Sequence, residues 1–201
     1  MSLSNYSDLQ AALGAWLDHS LFAAQYGNFV ALFEATAQRR LRVRNMEATT
    51  SLTPDASGFA TLPSDYLTWR RVTWTGQTRR ELSYVHPSYL QAAYPSQPAD
   101  VPAIFTIEGA TLKVMPLDST ALEFDYYQRI PSLITNSTNW LMTDSPDLYL
   151  FGSMCEAEAF GVNDERMPMW KARRDEIFDE IAMRDRQTRG PSYVRVFGVT
   201  P

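Results

Sequence analysis

The sequence is poor in the residues that form metal and redox sites. Its 201 residues include one cysteine, Cys155, and two histidines, His19 and His86. A single cysteine excludes an internal disulfide and is typical of a chain that folds in a reducing compartment. One thiol and two distant imidazoles also do not supply a closed zinc site. We therefore expect no metal and no cofactor.

Long apolar runs and catalytic signatures are also absent. No run approaches the roughly 18 apolar residues that span a bilayer, so we expect no membrane partner. The sequence contains no glycine-rich phosphate loop, GxSxG elbow, HExxH or CxxC motif. Apolar residues make up 45% of the chain and charged residues 20%, which is ordinary for a globular protein. These absences argue against an enzyme.

Two groups of residues could still carry chemistry. Cys155 lies close to Glu156 and Glu158, but helical periodicity places the thiol on an apolar face, where a cysteine behaves as a small hydrophobe. The two glutamates diverge by about 160° around the helix and cannot act as a pair. Glu123 and Asp125 do share one face of a predicted strand, which keeps a glycan hydrolase as an alternative.

Charge is strongly segregated along the chain, although the net charge is only −5. Residues 39–80 hold eight arginines and three acids, a local charge of +5, whereas residues 81–165 hold twelve acids and two bases, a local charge of −10. Only Lys113 and Lys171 among the eighteen basic residues are lysines, and arginine is the cation that protein interfaces favour. The pattern predicts different partners at different ends of the molecule.

Helical patterns occupy both ends of the chain. Near the N-terminus, SDLQAALGAWLD predicts a first helix with Ser7 as its N-cap. A second helix is predicted from about Ala23 to Arg44. Towards the other end, one helix is expected to begin at Asp144 or Ser145, and a last one to span about Asp164 to Arg186. The first of these has Pro146 in its first turn and the second has Pro168 near its start, where proline is tolerated.

Residues 46–133 are typical of short strands and turns. Runs such as TWRRVTW, AIFTI, TLKVMPL and ALEFDYYQRI are rich in β-branched and aromatic residues, several with period-two alternation. TGQT and EGAT are expected to form hairpin turns, and a short helix is expected to begin at Pro87. PSQPADVP holds three prolines and cannot be a central strand. This part of the chain predicts a small antiparallel β domain.

The last residues carry a pattern of their own. In TRGPSYVRVFGVTP, Tyr193, Arg195 and Phe197 alternate with Val194 and Val196. This is a strand pattern with no local partner in the sequence, so we expect the arm to order against another chain by strand addition or by docking into a groove.

These patterns together predict an α+β fold. Residues 1–45 and 134–187 are expected to form a helical bundle, residues 46–133 an inserted small antiparallel β domain, and residues 188–201 an extended C-terminal arm. In this arrangement both ends of the chain build the bundle, and the β domain is carried between its helices.

Arginine clusters mark the candidate partner-binding residues. RRLRVR ends the second predicted helix, where cations also complement the helix dipole, so a purely structural role stays open. WRRVTWTGQTRR adds tryptophans, and base stacking on them would indicate a sequence-independent DNA-binding module. A sequence pI of about 5.0 argues against that module and ranks a protein interface first. The candidates are Arg39, Arg40, Arg42, Arg44, Arg70 and Arg71, with Tyr193, Val194, Arg195, Val196 and Phe197 of the arm.

Six segments carry a family resemblance through their joint order. They are FVALFEATAQRRLRVRNME (29–47), LPSDYLTWRRVTW (62–74), FTIEG (105–109), LEFDYYQRIPSL (122–133), NWLMTDSPDLYLFGSMCEAEAF (139–160) and DERMPMWKARRDEIFDEI (164–181). Together they resemble the head-to-tail adaptor (connector) proteins of tailed bacteriophages, and more distantly tail tubular protein A of short-tailed phages. No single segment is a catalytic signature, so the order across most of the chain is the specific part.

The resemblance implies a structural virion protein of the head–tail junction, assembled in the host cytoplasm, and not an enzyme. It implies a ring of copies of the chain, commonly twelve, between the portal protein and the next tail component (a nozzle, a tail tube or a stopper). Such a ring extends the DNA channel, and packaged DNA passes through without sequence-specific binding. The C-terminal arm would then reach the portal or a neighbouring subunit. A tail-associated glycan hydrolase and a DNA-binding module stay the alternatives.

Overall fold

The computed structural model describes residues 3–17, 20–158, 160 and 165–189. The chain divides into two compact units: a helical unit of residues 1–45 together with 130–201, and a β unit of residues 46–129. Helices and strands both contribute, so the fold class is α+β. Among the described residues, no helix is long and apolar enough to cross a bilayer.

The secondary structure of the described residues follows in chain order. The α-helices are α1 (Tyr6–Leu17), α2 (Tyr26–Arg40), α3 (Pro87–Ala93), α4 (Leu133–Asn136), α5 (Trp140–Asp144), α6 (Pro146–Ala157) and α7 (Met167–Arg189), with short 3₁₀ helices at Ser20–Gln25 and Arg44–Met46. The strands are β1 (Glu47–Leu52), β2 (Phe59–Thr61), β3 (Tyr66–Trp74), β4 (Arg80–Glu81), β5 (Ser83–Tyr84), β6 (Ile104–Glu108), β7 (Thr111–Met115) and β8 (Leu122–Gln128).

Helix α6 contacts α1, α2 and α7 within the helical unit. It begins where the sequence predicts, with Ser145 as N-cap and Pro146 in the first turn, where a missing N–H leaves no hydrogen bond unmade. Phe33 of α2 packs edge-on against Tyr149, with ring centroids 5.1 Å apart. A Cβ atom on Gly152 would lie 2.1 Å from Cδ2 of Phe33. Helices α2 and α6 therefore approach to a distance that glycine makes possible.

The β unit contains two four-stranded sheets. The first has the order β1-β8-β3-β4 and is antiparallel throughout. The second has the order β2-β7-β6-β5, and its strands β5 and β6 pair in parallel. The prediction of an antiparallel domain was wrong at this one pair. Residues 85–103, which include α3, form a crossover long enough to return the chain in the same direction.

Side chains from both sheets form one core in the β unit. Val72 and Phe124 of the first sheet and Phe105 and Leu112 of the second are fully buried in the same cluster. Burial alternates along β8, as period-two packing requires. The residues between the buried ones, among them Asp125, therefore lie on the outer face of the first sheet.

Turn and capping motifs in the sequence predicted the positions of several elements correctly, but the predicted N-cap of α1 was wrong. The EGAT turn connects β6 and β7, which pair as an antiparallel hairpin, and α3 begins at Pro87 as predicted. Ser7, however, is not the cap of α1. Asn5 Oδ1 accepts the Asp8 backbone N–H at 3.0 Å, and the Asp8 carboxylate accepts the Ser4 hydroxyl at 2.7 Å. Asparagine caps a helix as well as serine does, so the nearby Ser7 gave an ambiguous signal.

Replacing Gly152 by alanine is expected to destabilise the protein by about 1–3 kcal/mol, because the added methyl overlaps a buried ring that is held by Tyr149. Urea unfolding followed by circular dichroism measures this change. Gly14→Ala is the matched control: its Cβ would lie 3.5 Å from Tyr26 Oη, an ordinary contact. That variant should gain about 0.5–1 kcal/mol from helix propensity. Equal effects of the two substitutions would contradict the close packing of α2 against α6.

Candidate interaction surface

The cysteine at the centre of the helical unit is a core residue. Cys155 is buried, with 6% of its surface exposed. Burial raises the pKa of its thiol, so the thiol stays protonated at neutral pH and is a poor nucleophile. His86 caps α3, where its Nδ1 lies 2.8 Å from the Ser88 hydroxyl, and His19 lies outside the described residues. The prediction of a cysteine packed in the core is confirmed.

The carboxylates on the outer face of the first sheet are engaged by arginines. Asp125 accepts hydrogen bonds from the Thr49 hydroxyl at 2.6 Å and from Arg71 Nε at 2.8 Å. Burial would raise the pKa of Asp125, but the bonds from Thr49 and Arg71 outweigh it and hold the pKa below its ordinary value. Glu123 pairs with Arg79 at 2.6 Å. A glycosidase acid needs a raised pKa, which Asp125 lacks.

The predicted partner residues of strand β3 take part in this network. Arg71 bridges Asp125 at 2.7 Å and Glu123 at 3.7 Å. Arg70 pairs with Glu47 at 2.6 Å, and its guanidinium lies 5.3 Å from the centre of the Tyr127 ring. Ion pairs this exposed contribute at most about 1 kcal/mol each. These two arginines therefore organise the face of the sheet, and their internal partners reduce what they can offer to another molecule.

Helix α2 ends earlier than the sequence predicts, and this separates its arginines. The helix stops at Arg40, and Leu41 is buried in an extended conformation with φ −91° and ψ 135°. Arg42 and Arg44 thus follow the helix, and the prediction that they belong to its last turns was wrong. Arg42 Nη1 donates to the carbonyl of Gln38 at 2.6 Å and so satisfies a carbonyl left open by the helix end. Burial of Leu41 turns the chain out of the helix.

Carboxylates of α7 bind two more residues of this cluster, Arg40 and Arg44. Arg40 pairs with Asp175 at 2.5 Å and lies 4.1 Å from the centre of the Phe178 ring. Burial would raise the pKa of Asp175, but hydrogen bonds from Arg40 and Arg174 lower it overall. Asp185 accepts the backbone N–H of Arg44 at 2.8 Å. Residues 40–44 are thereby fastened along α7.

Two shallow grooves border the segment 41–45. One, of about 480 Å³, is lined by Arg42, Phe178 and Arg186 among others. The second, of about 130 Å³, is lined by Arg44, Trp140 and Arg184 among others. Arg42, Arg184 and Arg186 have no carboxylate partner in the part of the chain that the structure describes, whereas Arg44 Nε lies 3.9 Å from Asp185. Six arginines and three aspartates, Asp144, Asp179 and Asp185, line the two grooves. We call four of these arginines, Arg42, Arg44, Arg184 and Arg186, the basic surface.

Sequence patterns gave no indication of a buried polar network in the helical unit. Glu34 is only 5% exposed, and its Oε1 accepts the Leu133 N–H at 2.6 Å and the Tyr149 hydroxyl at 3.1 Å. Asn139 Nδ2 donates to the Tyr149 hydroxyl at 2.6 Å and to the Pro131 carbonyl at 2.7 Å. Burial raises the pKa of Glu34 and that of Tyr149. A glutamate among helix formers carries no local mark of burial, so periodicity alone could not single it out.

Some predictions cannot be placed on the structure. Tyr193, Val194, Arg195, Val196 and Phe197 lie outside the described residues. In the described ranges, no three His, Cys, Asp or Glu side chains come together as a metal site would require.

Comparison with known families decides the identity. The family model described as SU10 adaptor protein matches residues 4–196. The chain belongs to the SU10 adaptor protein family. No curated protein matches the chain. This family is one of phage head-to-tail adaptors, so the resemblance seen in the six segments is confirmed. SU10 adaptors are structural proteins and not a class of enzymes.

Replacing Glu34 by glutamine in this SU10 adaptor is expected to change how stability depends on pH. Because burial raises the native pKa, the folded state binds this proton more tightly than the unfolded state. The contribution of Glu34 is therefore fully present below its unfolded pKa of about 4.5 and is lost as pH rises through the native pKa. The difference in unfolding free energy, wild type minus Glu34→Gln, should fall as pH rises.

Urea titrations at several pH values give this difference. Glu180→Gln, at an exposed position of α7, serves as the control and should show a much smaller change with pH. A wild-type-minus-variant difference for Glu34 that stays constant or grows with pH would contradict a raised native pKa.

Proposed function

We propose that this SU10 adaptor is a structural virion protein that forms a ring between the portal and the tail and extends the DNA channel. The observation that carries the proposal is the family match over residues 4–196. The basic surface supports it, because several of its arginines find no carboxylate within the described chain and are available to another molecule. A ring of copies, most simply twelve, needs a heterologous contact that closes by rotation.

We further propose how the chain is divided among these tasks. Residues 1–45 and 134–187 act as the helical bundle, residues 46–133 as the inserted β domain, and residues 188–201 as an arm that reaches the portal or a neighbouring subunit. The other end of the ring presents its surface to the next tail component, a nozzle, tail tube or stopper. The protein assembles in the host cytoplasm and is then located at the head–tail junction of the virion.

DNA is proposed to pass through the ring without sequence-specific binding. Affinity for DNA grows with the number of phosphates that a protein neutralises, and this chain has a net charge of −5. The basic surface is the one observation that favours a DNA-binding module instead. The same arginines would then bind duplex DNA as the isolated monomer, with an affinity that falls steeply as salt rises.

Removing two charges from the basic surface is expected to weaken assembly. The side chains of Arg184 and Arg186 are exposed on α7 and make no hydrogen bond or ion pair within the described residues, so Arg184→Gln with Arg186→Gln should leave the fold intact. Loss of two interfacial cations should lower affinity for the portal or for other copies at least tenfold. Mass measurement of the protein mixed with its portal protein, and of the protein alone, gives the result.

The matched control removes two charges from another part of the same helix. Lys171→Gln with Arg173→Gln changes exposed residues of α7 that do not line either groove. Equal losses of assembly for both double variants would show that only net charge matters. Unchanged assembly together with lost, salt-sensitive DNA binding in the Arg184 and Arg186 variant would favour the DNA-binding module.

Deleting residues 190–201 tests the arm. Helix α7 ends at Arg189, whose Nε pairs with Asp185 at 2.6 Å, so a deletion after this residue keeps the last helical contact. Docking to the portal should weaken, while the unfolding curve of the monomer stays the same. A pull-down in which the shortened protein binds the portal as well as the full chain would remove the arm from the interface.

A further inference from the structure

Strand β1 is the longest free edge of the two sheets. It pairs with β8 on one side, and within the described residues no strand pairs with its other side. The remaining edge strands have two or three residues each, β2, β4 and β5, whereas β1 has six. A free edge presents a row of backbone donors and acceptors, and its length sets how many a partner can use.

This edge lacks most of the devices that usually protect an edge strand. Its sequence, EATTSL, contains no proline and no lysine, and its one charged residue, Glu47, is ion-paired with Arg70 at 2.6 Å. All six of its residues pair with β8 in unbroken register, whereas the pairing of β3 with β8 has two irregularities. Proteins normally blunt an edge with short strands, charges, prolines or bulges. A long, regular and unprotected edge is therefore best explained as an interface.

The side chains along β1 suit a close strand partner. Thr49 and Ser51 are small, polar and exposed, while Leu52 is buried. Thr49 and Ser51 also line a shallow pocket of about 240 Å³ together with Glu123. Hydroxyl and carboxylate oxygens are the acceptors that a guanidinium group requires. Glu123 already pairs with Arg79 at 2.6 Å, so an arginine on the outer face of a strand laid along β1 would share this carboxylate and use the Thr49 and Ser51 hydroxyl oxygens as further acceptors.

We propose that β1 of one copy accepts residues 193–197 of a second copy as an added strand. This inference rests on the proposed ring and names the partner of the arm. Tyr193, Arg195 and Phe197 alternate with Val194 and Val196, as a strand with two different faces requires. The five residues span about 17 Å when extended, close to the length of β1. Arg195 lies at the centre, where the pocket with Glu123 can receive it.

The symmetry of the contact favours a second copy, and the length of the arm sets how far it can reach. Residues 190–201 follow the end of α7, and an extended chain of this length spans up to about 40 Å. An arm that binds a different element of its neighbour makes a heterologous contact, which can continue around a ring. Pairing of β1 with β1 of another copy would instead be isologous and would stop at a dimer.

Disulfide trapping between copies tests the contact. One full-length variant carries Thr49→Cys, and a second carries either Val194→Cys or Arg195→Cys; the two are mixed and oxidised. Since Thr49 lies on one face of the sheet, one of the two arm positions should cross-link at least fivefold more than the other. Thr61→Cys, on the short edge strand β2, is the matched control and should not cross-link. Cys155 is buried and stays in place.

Each outcome decides for or against the strand. No cross-link, equal yields from both arm positions, or equal yields with Thr61→Cys would overturn it, and so would Thr49→Cys pairing mainly with itself. The masses of the same samples are measured with and without portal protein. If the masses show a ring but no cross-link forms between Thr49→Cys and the arm variants, this inference is overturned and the proposed function stands. A cross-link in a protein that never binds a portal would keep the strand and reject the adaptor role.

Discussion

The helical unit depends on one buried carboxylate. Glu34 has lost most of its water, and a buried charge or carboxyl group without partners costs several kcal/mol. Its hydrogen bonds come from the Leu133 backbone and the Tyr149 hydroxyl, about a hundred residues further along the chain. These bonds fix where the chain that returns from the β unit meets α2. The same constraint sets the register of α6, because Tyr149 also packs against Phe33, beside Glu34.

The position of α2 determines where the arginines that follow it lie. Leu41 is buried and turns the chain out of the helix, so residues 41–45 run along α7 and not onward as a further helical turn. Asp175 and Asp185 hold Arg40 and the backbone of Arg44. Some arginines of this region therefore bind carboxylates of α7, and others face solvent. Counting charges along the sequence does not distinguish the two groups.

Features with a local cause could be predicted from the sequence, and features with a tertiary cause could not. Pro146 and Pro87 mark helix starts because proline lacks the N–H that a first turn leaves unused. The end of α2 depends on a pocket for Leu41, and burial of Glu34 depends on donors distant in sequence. The parallel pairing of β5 with β6 depends on strand order, which no short segment encodes. The adaptor family was recognisable because the order of many ordinary segments is itself specific.

Strand β1 shows why a free sheet edge is hard to predict from the sequence alone. EATTSL has the composition of an ordinary strand, and only its position outside β8 makes it an edge. A surface ion pair or a short added strand contributes little by itself, typically up to about 1 kcal/mol for an exposed pair. In a closed ring, however, the same contact occurs at every interface, and linked contacts raise the effective concentration of one another. Weak, polar and repeated contacts would therefore suffice for the proposed ring.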